Sequence, residues 1–471
     1  MIDRDTQLRR VAAASPSQFA WEAIVAALDH LDPIPEDLFE ELRARLKTWP
    51  VEIHRPLPLR WLFREPVGIS RIGLRPKPWP RGIEFATHLD LREPRPITLT
   101  SSGGELLRLF QAPELEGLCS ISLGASSVSV KQWGQIAARP TRHSLRHFAL
   151  QGVTSRIAPF LIGSCFAALE HLDLRDGQLG ASDIGMLLQA PALAQLRQLD
   201  LANNPIGDAG LLLLAKARCL SGELERTGLT DAGMVHLSRS EHLATLEVLR
   251  LSENRIGAPG VAALMTSTHL ENLRALHFDR CPIGPDGAQA IGAAQHLYRL
   301  RELRLHGGRI GPRGLSTLTK ALWFTELEDL DLSYCDLDDA ALKHLIQLRT
   351  SRLRRLSLGS AAITAHGLGH LLASAAGSHL EELLLHSCVE LGPQGAAAIA
   401  NAPTSARLRV LNLQNCKIGA AGALALASSP YLKGLRELWI WSGDLLHDGK
   451  KYVADAKERL QAALPNTAVI G

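Results

Sequence analysis

From Leu196 the chain reads LRQLDLANNPIGDAGLLLLAKA, with Leu196, Leu199 and Leu201 at the spacing L-x-x-L-x-L, then Asn204, Ile206, Gly210 and a run of Leu and Ala. Residues two apart on a strand share a face, so Leu199 and Leu201 point into a core from a short strand. Asn204 turns the chain, Ile206 re-enters the core, and the Leu/Ala run forms a helix packed back on the strand. One such turn cannot bury its own apolar face and needs neighbours on both sides. Those neighbours are present: the pattern restarts at Leu118, Leu145, Leu169, Leu196, Cys219, Leu246, Leu273, Leu300, Leu327, Leu353, Leu380, Leu408 and Leu435, most steps being 27 residues. The turn from Cys219 is degenerate. Gly222 and Leu224 fill its strand positions and Thr227 replaces Asn, while DAG at 231–233 restores the register, so a weak strand and a local irregularity are expected there.

The ends of the chain lack the pattern. FAWEAIVAALDHL and LFEELRARLKTW follow cap or proline start signals, and Leu38, Phe39, Leu42 and Leu46 would share one helical face. Trp49 to Arg81 is rich in Pro, Arg and Trp and reads as an ordered wrap without regular structure. The first strands are expected in ATHLDL, ending at Leu91, and LCSISL, from Leu118. After the last repeat, KKYVADAKERLQAAL reads as a helix and TAVIG as an apolar end. The expected division is a helical and Pro/Trp-rich capping segment over 1–82, a solenoid of about 13–14 turns over 83–445, and a C-terminal cap over 446–471.

The pattern L-x-x-L-x-L-x-x-(N/C)-x-(L/I)-x-x-x-G, as in LEVLRLSENRIGAPG and LRVLNLQNCKIGAAG, resembles the ribonuclease-inhibitor-like class of leucine-rich repeats. It also looks like bacterial repeat proteins in which such turns follow a short helical N-terminal segment. The resemblance implies an α/β fold: a right-handed solenoid, horseshoe-shaped, with a concave parallel sheet and convex helices. The uniform period and the degenerate turn at Cys219 depart from the inhibitor's own pattern. The repeat class includes an activator of a small GTPase and a nuclease inhibitor, so a regulator of a partner enzyme stands as the alternative to a scaffold. Fold alone does not name the partner.

Composition narrows the function. With 51 basic and 48 acidic residues the formal charge is +3, which argues against a dedicated nucleic-acid or anionic-membrane binder. The N-terminus is charged from its third residue and no run of apolar residues is long enough to span a bilayer, so a soluble cytoplasmic protein is the simplest reading. Four of the seven cysteines, Cys281, Cys335, Cys388 and Cys416, stand where Asn204 stands in its own turn. They read as buried structural thiols; there is no C-x-x-C pair to suggest metal, and free thiols favour a reducing compartment.

Equivalent strand positions on the expected concave side lie about 4.8 Å apart, giving an inner arc of about 58 Å suited to a protein partner. Its central column reads Asp173, Asp200, Glu223, Arg250, His277, Arg304, Asp331, Ser357, Leu384, Asn412 and Trp439. Three carboxylates followed by Arg-His-Arg either await opposite charge on a partner or are solvated positions where charge order costs little. The next column contributes Arg175, Glu225, Asp279, His306, Ser333, His386 and Trp441. Asp279, His306 and His277 lack a pocket, a nucleophile and a closed ligand set, so a pH-sensitive contact is a better reading than catalysis or metal binding. Tyr334 and Trp441 are candidate aromatic anchors, and Trp439 is expected to be covered by the cap. The sequence thus points to a non-enzymatic protein-interaction scaffold with no cofactor. Its candidate partner-binding residues are Asp173, Asp200, Glu223, Arg250, His277, Arg304, His306, Asp331, Tyr334 and Trp441.

Overall fold

In a computed structural model of the chain, the described residues are 88–91, 120–123, 134, 145–150, 152, 166, 168–190, 193, 196–218, 222–441, 446–447, 451–452 and 454–470. The helices and the Pro/Trp wrap expected before residue 83 lie outside the described residues, as does Cys219. The chain divides into two compact units, 1–205 and 206–471.

The first unit holds a parallel sheet of five strands in chain order: β1 (His88–Leu91), β2 (Ser120–Leu123), β3 (His147–Leu150), β4 (His171–Asp173) and β5 (Gln198–Asp200). Helix α1 (Ala181–Leu187) buries Ile184 and Leu187. The strands expected before Leu91 and from Leu118 are therefore present.

The second unit is a nine-stranded parallel sheet: β6 (Val248–Arg250), β7 (Ala275–His277), β8 (Glu302–Arg304), β9 (Asp329–Asp331), β10 (Arg355–Ser357), β11 (Glu382–Leu384), β12 (Val410–Asn412), β13 (Glu437–Trp439) and, at the far end, β16 (Ala468–Ile470). A short antiparallel pair, β14 (Leu446–His447) and β15 (Lys451–Tyr452), stands apart from it. The register follows the sequence period: Val248, Leu249 and Arg250 pair with Ala275, Leu276 and His277. Leu249, Leu276, Leu303, Leu330, Leu356, Leu383, Leu411 and Leu438 are fully buried between sheet and helices. In the degenerate turn the strand shrinks to a single bridge between Glu223 and Arg250. Gly222 explains the close approach there, because a Cβ on it would overlap the Val248 carbonyl oxygen.

Each turn returns through a helix: α2 (Gly207–Leu214), α3 (Asp231–Leu237), α4 (Ala258–Met265), α5 (Gly284–Ala293), α6 (Gly311–Leu318), α7 (Asp339–Ile346), α8 (Ala365–Ala373), α9 (Gly392–Asn401) and α10 (Gly419–Ala427), with α11 (Ala454–Ala463) after the hairpin. Pro in the first turn of α4, α5, α6 and α9 presets a helical φ where no intrahelical donor is needed. In α3 and α7 the cap comes from an oxygen: Thr230 accepts from Ala232 N and Asp338 from Ala341 N. Turns also cap each other. Asp231 Oδ1 accepts from Gly257 N at 2.7 Å and Gly260 N at 3.0 Å, and a Cβ on Gly260 would overlap that oxygen.

Two further devices lock neighbouring turns. The first is the buried Asn/Cys site. Asn254 Nδ2 donates to Leu224 O (2.7 Å) and Leu251 O (2.9 Å), while its Oδ1 accepts from Thr227 N (3.1 Å) and Leu229 N (3.0 Å). Asn204 makes the same reach to Leu174 O and Leu179 N in the first unit. Cys281, Cys335, Cys388 and Cys416 are all free and buried, and each thiol donates to a carbonyl of the turn before, at 2.9–3.2 Å. Burial pushes Cys281 and Cys388 up to about 11 and Cys335 up to about 12. The second device is a left-handed residue beyond many of the described strands: Asp176, Asn203, Arg226, Glu253, Arg280, Tyr334, Ser360, Ser387 and Asn415 have φ between 51° and 63°. Its N–H bonds the next turn, as from Glu253 to Asp279 O at 2.7 Å and from Tyr334 to Gly359 O at 2.7 Å. Asn, Asp and Ser bond locally and tolerate this region, whereas Arg, Glu and Tyr hold it at a cost of about 1–2 kcal/mol.

Among the described residues no helix is long and apolar enough to cross a membrane.

Candidate functional site

The sheet face opposite the helices carries the outward residues of each strand. In the first unit Arg175 serves two carboxylates: its Nε lies 2.9 Å from Asp173 Oδ2 and its Nη2 lies 2.7 Å from Asp200 Oδ2. Asp200 also accepts from Ala202 N at 3.0 Å and is only 8% exposed.

In the second unit Arg250 pairs with Glu223. A chain of basic side chains alternating with carboxylates then crosses five strands. His277 Nε2 lies 2.9 Å from Glu302 Oε1, and Arg304 Nε lies 2.7 Å from the same oxygen. Arg304 Nη2 reaches Asp329 Oδ2 at 3.4 Å, Arg355 Nε reaches that oxygen at 3.8 Å, and Arg355 Nη1 reaches Glu382 Oε2 at 3.5 Å. The His277 hydrogen bond holds the Glu302 carboxyl down to about 2, so Glu302 is ionised near neutral pH and His277 Nε2 is the donor. Burial pushes Asp329 and Asp279 above the usual carboxylate range.

Asp173, Asp200, Glu223, Arg250 and Arg304, which the sequence leaves either awaiting countercharge on a partner or solvated, are each paired within the protein. His277 is 4% exposed and offers a partner little surface. Asp173 and Asp200 belong to the first unit and the other eight candidate residues to the second. Glu302, Asp329, Arg355 and Glu382, which complete the ladder, were missed. Their signal was the outward column two residues earlier on each strand.

Beyond the ladder the face changes character. His306 N donates to Asp279 Oδ1 at 3.0 Å, and its ring meets Tyr334 at 4.9 Å between centroids. Tyr334 in turn meets the His386 ring at 5.9 Å. A Cβ on Gly359 would overlap the His386 ring, so glycine makes the room that ring occupies. Asp331 Oδ1 accepts from Ser333 N at 2.9 Å, and its carboxylate has no cation within 4 Å among the described residues. On β13, Trp439 is half-buried beside Ile470 of β16 and donates Nε1 to Glu437 Oε2 at 3.0 Å. Trp441 is 55% exposed and Tyr334 43%. No group of three or more metal-ligating side chains is gathered among the described residues.

Comparison with known proteins adds the following. A family model described as Leucine Rich repeat matches residues 195–215, 242–265, 269–292, 325–345 and 405–427. No curated protein matches the chain. Among solved structures it is similar to that of the Rad7 and Elc1 complex in yeast, at 16% identity over 78% of this chain and 83% of that one, with a TM-score of 0.44. It is also similar to an internalin, inlF, from Listeria monocytogenes, at 16% identity over 76% of this chain and 81% of that one, with a TM-score of 0.41.

Proposed function

Since the chain is a leucine-rich repeat protein, we propose that it is a non-enzymatic scaffold that binds a protein partner on the outward face of its parallel sheet, in the cytoplasm. The observation that carries this reading is the state of that face. Charged side chains on it are held in place by His277, Glu302, Arg304, Asp329 and Arg355 pairing with one another, while two large aromatic side chains, Tyr334 after β9 and Trp441 after β13, stay exposed to water. A surface ordered before contact loses little side-chain freedom on binding, which is how a broad, open face gains affinity without a pocket. The four buried free thiols suit a reducing compartment.

The test compares capture of proteins from native lysate by the wild-type chain and by Arg250→Glu/Arg304→Glu, with thermal melts to verify folding. A partner retained by wild type and lost from the folded variant supports the sheet face as the site. Equal capture by both proteins refutes it. Stimulated or inhibited catalysis by the captured partner would move the assignment from scaffold to regulator.

A further inference from the structure

The far half of the nine-stranded sheet, from β9 to β13, carries two similar groupings. At one end Asp331 stands three residues before Tyr334, whose ring is held between His306 and His386. At the other, Glu437 holds the Trp439 indole and Trp441 follows. Each grouping places a carboxylate and an exposed aromatic side chain three or four residues apart along the chain, Tyr334 after Asp331 and Trp441 after Glu437, and neither Asp331 nor Glu437 has a cation within 4 Å among the described residues. Between them the outward positions are uncharged along both columns: Ser357, Leu384 and Asn412 in one, Gly359, His386 and Gln414 in the other, with burial favouring the neutral form of His386. Arg355 sits in the adjacent column, already shared by Asp329 and Glu382.

We propose that this half of the face docks an extended basic segment of a protein partner, with one arginine or lysine at Asp331 and Tyr334 and a second at Glu437 and Trp441. This rests on the scaffold reading above and gives that scaffold's partner its chemistry. A cation is attracted both by a carboxylate and by the face of an aromatic ring, and the two act together when they line one spot. A hydrophobic partner would leave both carboxylates desolvated without countercharge, and an acidic one would be repelled at both ends. The spacing is also defined. Four inter-strand steps separate the groupings, about 19 Å, and an extended chain covers that distance in about six residues. The segment therefore carries its two cations about six residues apart, with small uncharged residues crossing the floor between them.

The probe is a labelled synthetic peptide, Arg-Gly-Ser-Gly-Ser-Gly-Arg, blocked at both ends and titrated against the full chain by fluorescence anisotropy at low salt. Two controls keep its length: one moves the arginines next to each other, the other replaces both with glutamate. The expected result is binding by the first peptide, weaker binding by the second and none by the third. Asp331→Asn/Glu437→Gln and, separately, Tyr334→Ser/Trp441→Ser should each weaken the first peptide roughly tenfold while melting as wild type does. Added salt should also weaken it. The proposal is overturned if the arginine peptide fails to bind, if the glutamate peptide binds as well, or if neither double variant changes its affinity. Self-association of the chain that is lost in Tyr334→Ser/Trp441→Ser would assign the face to a second copy and overturn it too. Failure here, alongside lysate capture that still depends on Arg250 and Arg304, removes this proposal and leaves the scaffold standing. Loss of both removes the scaffold reading as well.

Discussion

Replacing Asn254 with alanine tests the buried polar site that joins successive turns. The side chain is 4% exposed and bonds both ways across the turn boundary. Its loss falls unevenly on its partners. Leu224 O keeps the Thr227 hydroxyl at 2.7 Å, and Leu251 O keeps the Cys281 thiol at 3.2 Å. Thr227 N and Leu229 N lose the Oδ1 acceptor that they share. A buried donor without a partner costs about 1–3 kcal/mol, so Asn254→Ala should cost about 2–6 kcal/mol. Asn254→Cys is the control. At the next turn Cys281 already fills the equivalent position and donates its thiol to Leu251 O at 3.2 Å, the same offset at which Asn254 reaches Leu224 O. Sulfur thus keeps a weaker version of the bond to the preceding turn and fills the site, and the cysteine variant should lose less stability than the alanine variant. Urea unfolding gives the total, and amide exchange at Thr227 and Leu229 gives the local effect, which matters because repeat arrays do not always unfold in one step. If alanine and cysteine both fall within about 0.5 kcal/mol of wild type, the site is not what holds the turns together.

Three other outcomes follow from the same geometry. Gly222→Ala should destabilise the second unit more than an average surface change, because the added Cβ meets the Val248 backbone, which cannot swing aside; a normal melting temperature would refute this. The Glu302 carboxyl is depressed from 4.5 to about 2, so its contribution to stability is fully present above pH 4.5 and disappears as pH falls toward 2. In Glu302→Gln the fall of unfolding free energy across that window should be shallower, and an unchanged slope would refute the assignment. Cys281, Cys335 and Cys388, with thiols pushed up to about 11, 12 and 11, should resist iodoacetamide at pH 8 in the native protein and react once it is unfolded, as read by peptide mass mapping.

Much of the fold was legible because its signals are local. The L-x-x-L-x-L spacing located the strands, the period set their register, and the shared Asn/Cys position pointed to a buried site before any partner was known. The degenerate turn announced itself through Gly222 and Thr227, and it does shrink to a single bridge. The candidate face was less legible, because pairing on a sheet is not confined to one column. Arginine is long enough to reach diagonal neighbours about 7–8 Å away. Arg304 turns toward Glu302 and Asp329 and Arg175 toward Asp173 and Asp200, so a column read alone shows blocks of like charge that the fold interleaves. Tyr334 was picked out for its ring alone. Its placement between two histidines depends on a left-handed backbone bend and on Gly359, neither of which hydrophobic spacing reveals.

The Asn/Cys ladder also has a direction. Asn254 satisfies groups at Leu224, Thr227 and Leu229, and Cys416 reaches back to Leu385; each side chain serves the turn made before its own. On the ribosome a turn therefore emerges with its inner polar groups still open and is completed only when the following one arrives. Nascent chain halted between turns would keep its latest turn wet and loosely held, a full repeat behind the point of synthesis.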